Sequence, residues 1–153
     1  MGTQQILLIV LSVIIVGAAI AVGIQMFNSQ SYSANKSAIA ADAQSYASQI
    51  VQYYKTPESQ GGLGGDMYVD GDNTTGTLVS ADQVGGFIGW GSATMKNDNG
   101  FYVISDVTET TVKITGTGKE EQNDKNPVIT TTITFPAGTI KAVASDKKAT
   151  VAS

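Results

Sequence analysis

The chain has 153 residues, enough for one modest domain plus an extended helix, and its nine basic and thirteen acidic side chains give a formal net charge of −4. All nine basic residues are lysines, beginning at Lys36, so the chain lacks the basic patch that nucleic-acid binding needs. Histidine and cysteine are absent, which excludes disulfides, zinc sites built from imidazole or thiolate, and Ser-His-Asp or Cys-His catalysis.

The first predicted element is an apolar helix over residues 6–24, a stretch without a charged side chain in which Ser12 is the only polar residue. Nineteen helical residues rise about 28 Å, close to the thickness of the hydrocarbon core of a bilayer. A cleaved secretory signal is the alternative, with residues 19–21 as its cleavage motif. However, no basic residue precedes the stretch, and it is longer than the apolar part of a usual signal. The pattern therefore favours a retained membrane-spanning helix.

The helical pattern continues to about Tyr54, because no proline and no adjacent glycine pair interrupts residues 3–54. The polar residues 28–31 could cap or bend the helix, but one helix of about 50 residues is the simpler prediction. Thr56-Pro57 is expected to end it, since the residue before proline resists the helical conformation. The second half is polar except for a narrow apolar stripe at helical spacing, formed by Ile39, Ala43, Tyr46, Ile50 and Tyr54.

Beyond the helix, the sequence predicts a glycine-rich turn at residues 61–65 and a loop-rich stretch to about Asn99. That stretch is expected to hold one short helix near residues 80–84, capped by Ser80, and little else regular. Four segments rich in β-branched and aromatic residues then predict strands, at residues 101–107, 110–116, 128–135 and 139–144. The charged residues 119–125 read as a solvated hairpin loop.

Short connections between the strands predict an antiparallel meander, one face of which covers the apolar stripe of the helix. The predicted fold class is therefore α+β, a long N-terminal helix packed on a C-terminal antiparallel sheet. We divide the chain into the apolar half of the helix (residues 1–30), its amphipathic half (residues 31–55) and a β-rich head (residues 56–153).

Small residues in the apolar half have the spacing of helix-packing motifs. Gly17 and Ala21 are four residues apart, as are Ala19 and Gly23, and such pairs allow neighbouring backbones to approach closely. The alternative is that small residues occur in membrane helices without any partner. We favour specific helix–helix packing, because large aliphatic residues form most of the rest of the stretch.

Other motifs carry little chemistry. Asn35 and Asn73 each begin an N-glycosylation acceptor pattern, and Asn73 has the better loop context. The acidic residues around Asp70 fail the pattern of a calcium-binding loop, because Thr75 occupies the glycine position and Ala81 the glutamate position. We expect no catalytic residue, no cofactor and no metal, and therefore no enzyme.

The first third of the chain resembles type IV pilin-like proteins. The resemblance is carried by the segment from Gln4-Gln5-Ile6 to Phe27 and by the continuing helix, which ends at Tyr53-Tyr54-Lys55-Thr56-Pro57 before a glycine-rich turn and a β-rich head. Two features depart from the family. The fifth position of the mature protein is Gln5 or Leu7, depending on where counting begins, and not glutamate, and the usual proline within the apolar stretch is missing.

The resemblance implies how the chain is stored, processed and assembled. Such subunits are held in the inner membrane, trimmed by a prepilin peptidase after a glycine, here between Gly2 and Thr3, and polymerised by a pilus assembly machinery into an extracellular filament. The helices of many copies would then form the filament core. In this chain the core residues would be Ile6, Leu7, Ile9, Val10, Val13, Ile14, Gly17, Ala21, Gly23, Ile24 and Phe27.

The expected function is therefore that of a structural subunit of a pilus-like filament at the cell surface, whose partners are further copies of itself. One alternative is a minor pilin or pseudopilin of a secretion system, which stays near the membrane. Another is a binding domain anchored by a single membrane pass, which would have a flexible linker after the membrane helix.

Overall fold

The computed structural model describes residues 2–69 and 75–147. A single helix, α1, spans Gly2–Lys55 and continues through the polar residues 28–31 without interruption. The prediction of one long helix is confirmed, as is its end before Pro57. The chain then folds back on the helix end, where the backbone N–H groups of Leu63 and Gly65 donate to the carbonyls of Tyr53 and Tyr54. These bonds satisfy carbonyl groups that a helix end otherwise leaves unpaired.

The head begins with small elements. A 3₁₀ turn at Glu58–Gln60 is followed by strands β1 (Tyr68–Val69) and β2 (Thr77–Leu78), which pair as a two-stranded sheet, and by a short helix α2 (Ala81–Phe87). Ser80 caps α2 as predicted, and Gln83 completes a capping box. The expectation that little else here is regular is wrong, because β1, β2 and the three-residue strand β3 (Thr94–Lys96) also form. They are too short for sequence periodicity to identify.

The main sheet is an antiparallel meander in the order β3-β4-β5-β6-β7. Its four longer strands are β4 (Gly100–Ser105), β5 (Thr111–Gly118), β6 (Asn126–Thr134) and β7 (Thr139–Lys147). All four were predicted, with differences at their ends. Strand β4 stops before the predicted Val107, because Asp106 has a positive φ of 48° and begins a turn. Strand β7 is longer than predicted, because it pairs with β6 as far as Lys147.

The helix covers one face of the sheet. Side chains of α1 pack mainly on β5 and β6, so β7 lies beyond the edge of the helix and is mostly exposed. Alternate residues of the central strands point toward α1 and are buried, as the period of a half-covered strand requires. The buried sheet residues on this face include Tyr102, Ile104, Val112, Ile114, Ile129, Thr131 and Ile133, and the buried helix residues are Tyr32, Ile39, Ala43, Ala47, Ile50, Tyr53 and Tyr54. The α+β class and the packing of the stripe on the sheet are thus confirmed.

Candidate membrane-insertion and assembly surface

The first half of α1 makes no buried contact with the head. Every residue from Gly2 to Gln30 is exposed, and the large side chains Leu7 and Phe27 are 70% and 74% exposed. The structure thereby leaves uncovered all the residues predicted for a filament core: Ile6, Leu7, Ile9, Val10, Val13, Ile14, Gly17, Ala21, Gly23, Ile24 and Phe27. Exposed apolar surface on this scale marks a site that a membrane or another protein covers.

The uncovered half is apolar on all sides. Its large side chains are consecutive along the chain and therefore point around the whole helix. The hydroxyl of Ser12 donates to the carbonyl oxygen of Leu8 at 2.7 Å, so the one polar side chain in residues 6–24 is satisfied within the helix. The helix is long and apolar enough to cross a membrane. A cylinder of this kind suits lipid tails or a ring of neighbouring helices better than one flat partner.

The predicted small-residue positions lie at the surface of this cylinder. A Cβ atom added to Gly17 or Gly23 would meet nothing within 4 Å, so neither glycine is needed for contacts inside the chain. Any requirement for a small residue there must come from outside the chain. Gly2 and Thr3, the predicted processing site, form the exposed start of α1.

The second half of α1 carries a surface that sequence reasoning missed. The side chains that face away from the head are exposed, and Lys55 at the end of the helix is the only charged one among them. A solvated helix face normally carries several charged residues. The signal was present in the sequence, where residues 31–54 contain only two charged side chains. We call this surface the uncharged ridge, formed by Ser33, Ala34, Ser37, Ala41, Gln44, Ser45, Ser48 and Gln52.

One of those two charges, Asp42, holds the helix on the head. One carboxylate oxygen accepts hydrogen bonds from the Asn97 amide at 3.0 Å, the Asn99 amide at 2.8 Å and the Tyr102 hydroxyl at 2.8 Å. Burial by itself would raise the pKa of Asp42, but the three hydrogen bonds outweigh it and hold that pKa below its ordinary value. Burial and the Asp42 carboxylate raise the pKa of Tyr102. The cluster therefore keeps Asp42 ionised and Tyr102 protonated.

Asn35 makes the second attachment. Its amide oxygen accepts from the backbone N–H groups of Lys119 at 3.1 Å and Glu120 at 3.3 Å, and its amide nitrogen donates to the carbonyl of Asn99 at 2.8 Å. The amide that a glycan would need is thus used within the fold. Gly118 lies against Asn35 so closely that a Cβ atom there would collide with the amide oxygen. The other acceptor pattern, at Asn73, lies outside the described residues, as do Asp70 and Asp72.

A third attachment ties β7 to the helix. The Asp146 carboxylate accepts a hydrogen bond from the Tyr32 hydroxyl and forms an ion pair with the Lys36 ammonium, each at 2.8 Å. The pKa of Asp146 is lowered, most strongly by the hydrogen bond from Lys36 and less strongly by the hydrogen bond from Tyr32. Burial, as the larger cause, and the hydrogen bond to Asp146 raise the pKa of Tyr32 to about 12. Together the three attachments set the position of the helix along the sheet.

Within residues 2–69 and 75–147, no three metal-ligating side chains of the His, Cys, Asp or Glu type lie together. Comparisons of the chain with known protein families, with curated proteins and with solved structures found no match.

Proposed function

We propose that the chain is a structural subunit of a pilus-like filament at the cell surface, acting by assembly and not by catalysis. The observation that carries the proposal is the fully exposed apolar half of α1, joined without a break to the half that packs on the head. In the precursor, a membrane would cover this surface. In the filament, the helices of other copies would cover it.

The free energy available from covering the helix is large. Burying one valine, leucine, isoleucine, methionine or phenylalanine side chain is worth about 1.5–3 kcal/mol, and the exposed half offers fifteen of them. A chain with this surface in water would aggregate or insert into lipid. Assembly through the helix uses that free energy to hold subunits together.

The distribution of charge supports a helix that ends up inside an assembly. All charged side chains of the protein except Lys36, Asp42 and Lys55 lie beyond the helix, in the head. Asp42 faces the head, and the uncharged ridge extends the charge-free surface over the second half of α1. Neighbouring helices could pack on this ridge closely, since alanine and serine are small. The charged heads would form the outer surface and keep filaments apart.

The unbroken helix favours a filament subunit over a binding domain on a membrane anchor. An anchored domain gains reach from a flexible linker, whereas α1 fixes the head to the apolar half. Processing after Gly2, export by a pilus assembly machinery and storage in the inner membrane belong to the same proposal and come from the resemblance to pilins.

A comparison of two chains tests the proposal. The full chain should form filaments or need detergent. A shortened chain begun at Ser31, which keeps the second half of α1 and the head, should sediment as a soluble monomer, because it lacks the exposed apolar half. Electron microscopy of material sheared from cells that make the full chain should show filaments that contain it. Long polymers formed by the shortened chain would place the assembly surface elsewhere and refute the proposal.

A further inference from the structure

The loop between β5 and β6, residues 119–125, lies beside the helix at the C-terminal end of its uncovered half. Glu121, Gln122 and Asn123 of the loop line one cleft together with three helix residues, Gln25, Asn28 and Ser29. The loop is thus a part of the head that contacts α1 where its apolar half meets its amphipathic half.

The loop is held firmly in that place. Asn35 accepts from two of its backbone N–H groups, and the hydroxyl of Ser31 donates to the Glu120 carboxylate at 3.1 Å. At the tip, Gln122 and Lys125 exchange backbone hydrogen bonds of 2.9 and 3.1 Å around a two-residue turn. Asn123 and Asp124 in this turn both have positive φ, of 53° and 58°, as a type I′ turn requires. The tip is therefore a tight hairpin turn in a defined position.

The depth of the tip in a membrane follows from the helix. If residues 6–24 cross the hydrocarbon core, about 30 Å thick, then Gln25 lies at its boundary. Ser29 is four residues further, about 6 Å at 1.5 Å per residue. The headgroup region on each side is about 5–8 Å thick. Gln25, Asn28 and Ser29 therefore lie at headgroup depth, and the loop residues that share their cleft lie there too.

The free charges of the tip define the headgroup that suits it. Glu121, Asp124 and Lys125 are exposed, and their side chains have no hydrogen-bond or ion-pair partner in the described parts of the chain, whereas Glu120 is engaged by Ser31. The Lys119 ammonium donates to the carbonyl of Asp98 at 3.2 Å. Two free carboxylates beside one free ammonium favour a zwitterionic headgroup, which offers a hydrogen-bonding cation to the carboxylates and a phosphate to Lys125, over a headgroup that is only anionic.

We propose that, while the helix spans a bilayer, the β5–β6 loop lies in the lipid headgroup layer and Glu121 and Asp124 bind the primary ammonium groups of phosphatidylethanolamine-type lipids. The inference rests on the membrane-anchored stage of the proposed function. It adds a second membrane contact, made by the head, that limits how far the head can tilt from the membrane normal.

The absence of cysteine allows single fluorescent labels to test the depth. Three variants of the full chain, Gln122→Cys at the loop, Ser59→Cys at the far end of α1 and Ala18→Cys in the apolar half, are labelled and reconstituted into vesicles. Lipids with a nitroxide on the headgroup or on the acyl chain then serve as quenchers. The headgroup nitroxide should quench the label at position 122 severalfold more strongly than the label at position 59. Equal quenching at the two positions would overturn the inference.

The Ala18→Cys label separates this inference from the proposed function. Quenching of that label by the acyl-chain nitroxide establishes that the helix is inserted, whether or not the protein forms filaments. An inserted helix with an unquenched loop would overturn the headgroup contact alone. A label at position 18 that the acyl-chain nitroxide does not reach would remove the membrane stage, and the inference with it.

The headgroup class is tested in vesicles of two compositions. Loop quenching should be stronger with phosphatidylethanolamine than with phosphatidylglycerol, and the double change Glu121→Gln and Asp124→Asn should remove the difference. Asparagine tolerates the positive φ at position 124, so the turn is kept. A preference that survives the double change would overturn the role of the two carboxylates.

Discussion

The Asp42 carboxylate on α1 accepts a 2.8 Å hydrogen bond from the hydroxyl of Tyr102, a fully buried residue of β4. The two residues are 60 positions apart in the chain. Asn97 and Asn99 donate two further hydrogen bonds to the same oxygen, so one helix side chain binds both β4 and the turn that precedes it. A shift of the helix by one turn would leave all three donors without this acceptor.

The first prediction concerns this cluster. Asp42→Ala should lower the free energy of unfolding of the shortened chain begun at Ser31 by about 1–3 kcal/mol, because it leaves a buried hydroxyl and two amides without their acceptor. Urea denaturation followed by tryptophan fluorescence measures the change, since Trp90 lies near Tyr46 and Tyr102. The control is Gln44→Ala, an exposed change two residues away that should be nearly neutral. Equal stability of the two variants would show that the cluster contributes little.

The second prediction concerns pH. The pKa of Asp42 is lower in the folded state than in the unfolded chain, where an aspartate titrates near pH 3.9. The stability that Asp42 contributes is therefore fully present above that pH and is lost as the pH falls through the folded-state pKa. The urea concentration at the unfolding midpoint of the shortened chain begun at Ser31 should therefore decrease as the pH is lowered below about 4. Asp42→Asn should reduce this fall, and an identical profile for that variant would contradict the assignment.

The third prediction concerns the close approach of Gly118 to the helix. Gly118→Ala should destabilise the head by roughly 1–3 kcal/mol, because the added methyl group displaces the Asn35 amide from the β5–β6 loop. Gly86→Ala is the matched control, since a Cβ there meets nothing within 4 Å and alanine favours the helix. Thermal melts of both variants give the comparison. A Gly118→Ala protein as stable as the Gly86→Ala protein would argue against the attachment.

The fourth prediction concerns the small residues of the apolar half. Gly17→Leu should block or alter filament assembly by forcing neighbouring helices apart, while membrane insertion is kept or improved. Ile14→Leu nearly conserves volume and should be tolerated. Filament yield and helical geometry by electron microscopy, with membrane fractionation beside them, measure the outcome. Normal filaments from Gly17→Leu would show that no tight contact exists at this glycine.

The fifth prediction concerns the uncharged ridge. Ala41→Glu should leave the fold of the subunit intact, because the side chain is exposed and glutamate is a good helix former. It should sharply reduce assembly, because packing would bury an unpaired charge. Ser59→Glu adds the same charge to an exposed turn of the head and should assemble normally. If both variants assemble equally well, the ridge remains in water in the filament.

Local sequence signals predicted most of the fold. The lack of helix breakers before Pro57 predicted α1, and β-branched residues predicted β4 to β7. The attachments between helix and head escaped prediction, because Asp42 meets its partners only after more than fifty intervening residues have folded. Asn35 was noticed for its glycosylation pattern, whereas its amide bonds the backbone of a distant loop. Such roles depend on which face of α1 meets the sheet, and spacing alone does not give that register.

The unbroken course of α1 has a mechanical consequence. In the proposed filament, a load applied to the head of a subunit would reach the core through one column of backbone hydrogen bonds, because α1 contains no flexible segment that could extend first. The apolar contact and the attachments at Tyr32, Asn35 and Asp42 lie along the flank of this column. Tension along the helix axis therefore shears them together and does not peel them one after another. The contacts between helix and head would then have to break together before a pull could separate the head from the helix.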